Sequence, residues 1–248
     1  MRKIVLMLAV LLIVTSWGVI NADIHLEIKY HGDSYYYGGV NTPAVDESRG
    51  QWIGEKKTAV ISGKRVTVLD LEKKRLLFIN HQLKIYAEAA LPLDFKTFME
   101  EQFAAQLERY PWKGTVKATG ETKKIKHWNC KAYVMENWID VPGGKYNERE
   151  IKIWVTKDFP PPFDVKVFSQ LNGHYVKFAN YHDDLIAALE GVPGYPVLLE
   201  NTNFGKGFSW KARTEVVSIS EEKPPPGIYS VPEGYKKKEK LSPPDLQG

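Results

Sequence analysis

Six histidines and one cysteine are the side chains in this 248-residue chain best suited to acid–base, metal or nucleophilic chemistry. The histidines, His25, His31, His81, His127, His174 and His182, are scattered, and none pairs with another at metal-ligand spacing. His31 with Asp33, or His182 with Asp183 and Asp184, could meet a metal after folding. The simpler reading is a solvated loop and a helix start, so no metal and no cofactor are expected. Cys130 lies in a strand-like run between Asn129 and Lys131. A reactive thiolate is one reading. A small buried apolar residue sharing its side of the strand with Ala132 and Val134 is the one taken.

No G-x-S-x-G, H-E-x-x-H, P-loop or G-x-G-x-x-G occurs. Glu100-Glu101 and Glu221-Glu222 read as solvated carboxylates rather than an acid–base pair. The run Tyr35-Tyr36-Tyr37 is either an aromatic ligand patch or an edge strand packed on the body of the protein. Lys236, Lys237 and Lys238, with Lys240, could touch anionic lipid heads at a membrane surface, or simply form a solubilising tail.

These side chains must be positioned by a folded frame. Hydrophobic residues are 43% and charged residues 26%, which is ordinary globular usage. One cysteine excludes a disulfide-stapled fold and a multi-cysteine metal site. Residues 23–30 alternate, with Ile24, Leu26, Ile28 and Tyr30 on one side. Residues 31–50 read as a long loop or irregular hairpin. Short strands follow at 51–53, 57–61, 65–69, 75–79 and 84–87, with turns at 62–64, 70–74 and 80–82. Connections this short permit only antiparallel pairing.

The period changes after Pro92. Phe95, Phe98, Met99, Phe103, Leu107 and Tyr110 fall at helical spacing, which predicts one long helix over 94–110. Strands resume at 115–122, 129–136 and 149–156, where Ile151, Ile153 and Val155 alternate with polar residues. Residues 165–171 and 183–190 read as shorter helices. Residues 196–200, 210–219 and 228–231 read as late extended segments. The domain is expected to occupy 23–235 as one unit, with 236–248 a disordered basic and Pro-rich tail.

Compartment is read from the first 22 residues. Arg2 and Lys3 precede an apolar run from Ile4 to Val14, and Ala22 offers a small residue for cleavage. The expected result is an exported protein of the periplasm or the exterior. The competing reading is an uncleaved anchor, because Trp17 to Ile20 lengthen the run toward the ~17 residues a span needs. No cysteine lies near the cut, which excludes lipid attachment there. Without Arg2 and Lys3, 32 basic residues face 30 acidic ones, too even a balance to imply a nucleic-acid partner.

Several stretches resemble exported bacterial domains of unknown function related to the lipoprotein-carrier (LolA/LolB-like) superfamily. They are W-I-G-E-K-K (52–57), L-D-L-E-K-K-R-L-L-F-I-N-H-Q-L-K-I-Y (69–86), T-G-E-T-K-K-I (119–125) with C-K-A-Y-V (130–134), K-I-W-V-T-K-D (152–158) and P-P-P-G-I-Y-S-V-P-E-G-Y-K-K (224–237). The resemblance covers most of the chain after residue 22, and its motifs are structural. It implies an α+β fold: a strongly curved antiparallel sheet, an incomplete β-barrel, covered by one long and one or two short helices. In carriers of that superfamily the space between sheet and helices holds acyl chains. Carried to this chain, that space would be lined by Phe98, Met99, Phe103 and Leu107.

The expected function is therefore a non-enzymatic cell-envelope protein that binds an apolar ligand such as a lipid, an acyl chain or a lipidated protein. The competing reading of Phe98, Met99 and Phe103 is plain core. Two other classes remain: an exported structural or protein-interaction module without a small-molecule ligand, and a hydrolase whose site assembles only on folding.

Overall fold

The computed structural model describes residues 22–159, 163–205 and 207–247. Of the expected export signal, residues 1–22, all but Ala22 lie outside the described residues. Among the described residues no helix is long and apolar enough to cross a membrane.

The architecture is α+β. Twelve strands form one large curved sheet. They are β1 (Asp23–Gly32), β4 (Val45–Ile53), β5 (Lys57–Ser62), β6 (Arg65–Asp70), β7 (Arg75–Asn80), β8 (Ile85–Ala90), β9 (Trp112–Ile125), β10 (Trp128–Val141), β11 (Gly144–Thr156), β12 (Tyr195–Gly205), β13 (Phe208–Glu222) and β14 (Lys236–Lys237). Their order is β14-β8-β7-β6-β5-β4-β1-β13-β12-β11-β10-β9. A small hairpin, β2 (Tyr35–Tyr37) and β3 (Val40–Thr42), stands apart and accounts for the expected loop. All neighbours in the large sheet pair antiparallel except β14 on β8.

The meander from β4 to β8 forms as its turn chemistry dictates. Gly63 supplies a left-handed turn residue between β5 and β6. Asp70 accepts from the Lys73 N–H at 2.9 Å, and Asn80 accepts from the N–H groups of Gln82 and Leu83 at 3.0 Å. Those side-chain bonds close the next two hairpins.

Four helices lie among the described residues: α1 (Phe95–Phe98), α2 (Glu101–Arg109), α3 (Val165–Phe178) and α4 (Asp183–Glu190). The single helix expected over 94–110 is broken. Met99 is extended and forms a parallel bridge with Leu241. Leu241 donates to the Phe98 carbonyl at 2.8 Å, and its own carbonyl accepts from the Glu100 N–H at 2.9 Å. Both groups would otherwise serve a continuous helix, so the tail competes with it and wins.

The expected disordered tail is thus a structural strap. Beyond β14 it inserts the fully buried Leu241, then closes on a 3₁₀ turn, Pro243–Leu246. Asp245 accepts from Lys238 at 2.7 Å and from the Ser242 hydroxyl at 2.6 Å. Asn80 donates to the carbonyls of Asp245 and Gln247, both at 2.9 Å. Segment 228–231, expected as extended, forms a turn that packs Ile228, Tyr229 and Val231 on Trp52, Val68 and Ile79.

The helices divide the sheet between them. α1 and α2 cover Leu69, Leu76, Phe78, Ala87 and Ala89. α4 seats Leu185 on Met135, Ile151, Ile153 and Val155. α3, capped by Asp164 through the N–H groups of Lys166 and Val167, sends Leu171 into the first cluster and Phe168 toward Tyr195 and Val197. Cys130 is buried beside Trp128 and Ala132, and burial pushes its thiol above the ordinary range.

Two outcomes follow. Leu241→Ala should lower unfolding free energy by about 2–5 kcal/mol, read by urea denaturation. A loss below about 0.5 kcal/mol would show the strap to be ornamental. Cys130 should resist a water-soluble thiol reagent in the native protein and react once urea unfolds it, because a buried neutral thiol is a poor nucleophile.

Candidate functional site

Beneath α3, beside the place where Leu185 of α4 meets the sheet, a gap opens between sheet and helices. On β11 the residues Arg149, Ile151, Ile153 and Val155 recur at period two and face this gap. Leu199 of β12 and Thr214 of β13 continue its floor. Phe168, Asn172 and Tyr175 form its roof, at the i, i+4, i+7 spacing of one face of α3. Leu189 of α4 and Val192 beyond it close one side. The space is a cavity of about 370 Å³. A lobe of about 180 Å³ adjoins it, sharing Arg49, Phe168, Asn172, Tyr175 and Leu199. Gly194 holds φ +129° at the turn into β12, where the Thr156 carbonyl leaves no room for a side chain.

The polar groups of the lobe satisfy one another. Tyr195 donates to Gln51 Oε1 at 2.7 Å, Gln51 Nε2 donates to Thr58 Oγ1 at 3.1 Å, and Thr58 donates to the Trp52 carbonyl at 2.8 Å. Burial raises the Tyr195 pKa, so this hydroxyl stays neutral. Such a closed chain is structural.

Two guanidinium groups also line the cavity, Arg49 where the lobe joins it and Arg149 beyond the lobe, and none of the described lining residues is acidic. Arg49 is committed: its Nε and a terminal nitrogen donate to Glu47 Oε2 at 3.0 and 2.7 Å, and it lies 4.4 Å from the Tyr30 ring centre. Arg149 makes no ion pair with any described residue. It lies 3.8 Å from the Trp112 ring centre. Burial pushes its pKa down, opposed only by the nearby hydroxyl groups of Tyr181 and Tyr30. Asn201, opposite Ile151 in register, lines the same end, and its Oδ1 is buried without a partner.

The four residues expected to line a cavity lie elsewhere. Phe98 and Met99 are 1% exposed and locked among Leu69, Phe78 and Leu241. Phe103 and Leu107 are half-buried against that same cluster. The aromatic stripe packs as core because the tail strap and Phe178 fill the space around it; the Phe98 and Phe178 rings stack at 6.2 Å. The true lining was legible in part. The alternation of Ile151, Ile153 and Val155 was visible, and Arg149 stands in phase with it.

The other sequence candidates resolve locally. On the surface the carboxylates of Asp46, at 2.8 Å, and Asp33, at 3.3 Å, can accept from the His31 ring N–H groups, and the Asp46 contact raises the His31 pKa. His182 caps α4, accepting from the Asp184 N–H. Among the described residues no group of three or more His, Cys, Asp or Glu side chains is placed to hold a metal. Tyr35 stacks on Trp210 at 5.1 Å and Tyr37 on Phe208 at 4.9 Å, leaving Tyr36 and Tyr37 largely exposed. Lys236 and Lys237 are exposed on β14; Lys237 pairs with Glu239 and Lys238 with Asp245.

The model of a family described as Domain of unknown function (DUF4412) matches residues 46–235. A solved structure described as "Structure of PNGF-II in C2 space group" is 15% identical, with 88% of this chain and 31% of that one covered and a TM-score of 0.39. The chain thus spans about a third of that protein's length, and the likeness is too loose to bear on function. No curated protein matches.

Proposed function

We propose that this chain, which belongs to the DUF4412 family of domains of unknown function, is a non-enzymatic binding protein that holds an apolar ligand, such as an acyl chain, beneath α3 and α4. The observation that carries this reading is the cavity itself. Protein interiors close-pack, with few voids larger than a water molecule. Here about 370 Å³ remains open between an aliphatic floor and an amphipathic roof. That volume falls within the ~300–1,000 Å³ common for small-ligand sites. Its modest size suits one chain rather than several.

In this reading the curved, open sheet acts as an incomplete barrel, and the helices form its lid. Export to the cell envelope, expected from residues 1–22, would place the protein where free lipids and lipidated proteins occur. The interaction-module reading keeps one specific observation. Tyr36, Tyr37, Val40 and Phe204 are exposed apolar groups clustered on the hairpin β2–β3 and the tip of β12.

The test separates cavity from core. Purified, delipidated protein should bind a fluorescent fatty-acyl probe saturably. Leu199→Trp, which fills the cavity, should weaken that binding by at least about tenfold while melting stays cooperative. Phe98→Ala should cost about 3–5 kcal/mol of stability and leave probe affinity within about twofold. A wild type that ignores the probe overturns the reading and moves the interaction module ahead.

A further inference from the structure

We propose that the Arg149 end of the cavity receives the anionic head of a single-chain amphiphile, a carboxylate or a phosphate, whose tail runs along Ile151, Ile153 and Val155. This rests on the cavity reading and adds the ligand's chemical class and its direction.

Charge balance is the first support. A half-buried guanidinium without a counter-charge is costly, because desolvation is not repaid by attraction. Arg49, four strands away across the sheet, has its carboxylate in Glu47. Arg149 has none among the described residues, and no described residue lining the cavity is acidic. A negative charge from outside the described residues would balance Arg149.

Geometry is the second. The Trp112 ring covers one face of the Arg149 guanidinium at 3.8 Å. A stacked guanidinium is held in plane, and its edge N–H groups stay free. That planar fork matches a carboxylate or phosphate through two parallel hydrogen bonds. Tyr30 and Tyr181 stand beside it. Neither hydroxyl is taken up by a side-chain hydrogen bond to a described residue. The unpartnered Asn201 Oδ1 adds an acceptor at the same end, suited to a hydroxyl on the head group.

Polarity along the strand is the third. From Arg149 to Val155 one face of β11 extends ~20 Å at the usual strand rise. It is charged at one end and aliphatic over the rest. An amphiphile has the same polarity profile. An uncharged apolar ligand would leave Arg149 as unpaired as before.

The experiment uses the full chain and three competitors of one probe: oleic acid, a single-chain oleoyl lysophosphatidate, and oleyl alcohol. The fluorescent probe carries an uncharged acyl group, so its own binding does not depend on Arg149. Wild type should hold at least one anion at least about tenfold tighter than the alcohol. Which anion wins distinguishes carboxylate from phosphate. Arg149→Gln should bring that anion to parity with the alcohol and leave the alcohol within about twofold, while Arg149→Lys recovers part of the preference.

Equal affinity of the wild type for all three competitors overturns the inference and leaves the cavity reading standing. So does a preference that survives Arg149→Gln. Failure of the probe and the alcohol to bind at all overturns the cavity reading itself. Should Arg149→Gln fail to fold, the wild-type ratio and Arg149→Lys decide the matter.

Discussion

A sheet of twelve strands presents more inner surface than four short helices can cover. That mismatch governs the molecule. Each apolar face of a sheet must be buried against something, and the supply of helix here is limited. The chain answers by placing its helices in two groups. α1 and α2 cover the β6–β8 end, and α4 covers β10–β11. α3 lies between them, packed on α4, with Leu171 in the first cluster and Phe168 in a separate one with Tyr195 and Val197. The uncovered remainder, under α3 and beside α4, is where the cavity opens.

The C-terminal strap makes the first group sufficient. Two short helices would leave gaps over Leu69 and Phe78. Leu241 closes one, at the cost of the helix break at Met99. The trade is favourable because the Phe98 carbonyl and Glu100 N–H exchange helical partners for Leu241 without loss of hydrogen bonds. A fully buried leucine is then gained. Asn80 and Asp245 anchor the end of the strap in a polar seam whose partners are all supplied by the chain.

Local periodicity made much of the fold legible. The meander could be read from its turns, because Gly63, Asp70 and Asn80 act within a few residues of themselves. β11 and α4 were equally clear. What could not be read was any feature decided by a distant competitor. The helical stripe from Phe95 to Tyr110 is genuine, and only a residue more than a hundred positions away interrupts it. The tail looked disordered because its Lys- and Pro-rich composition hides one decisive leucine. The cavity lining is hidden for a related reason. Phe98 and Phe103 form the broad aromatic face in the sequence, whereas Arg149 is distinctive only in three dimensions, where no described residue lining the cavity is acidic.

Residue shape accounts for why core and cavity lie where they do. Around α1 and α2 the side chains are long or aromatic: Phe95, Phe98, Met99, Phe78 and Leu241 reach across the sheet–helix gap and meet. Under α3 the floor includes Ile151, Ile153 and Val155, β-branched side chains that lie close to the strand and meet Leu185 of α4 to one side. Above them the middle roof position is Asn172, a short polar residue flanked by Phe168 and Tyr175 one turn away on either side. A leucine or phenylalanine at 172 would close that space and serve stability better, since apolar filling of a void is ordinarily favourable. The small amide there, together with an arginine that has no ion pair among the described residues, leaves packing incomplete at this end of the sheet.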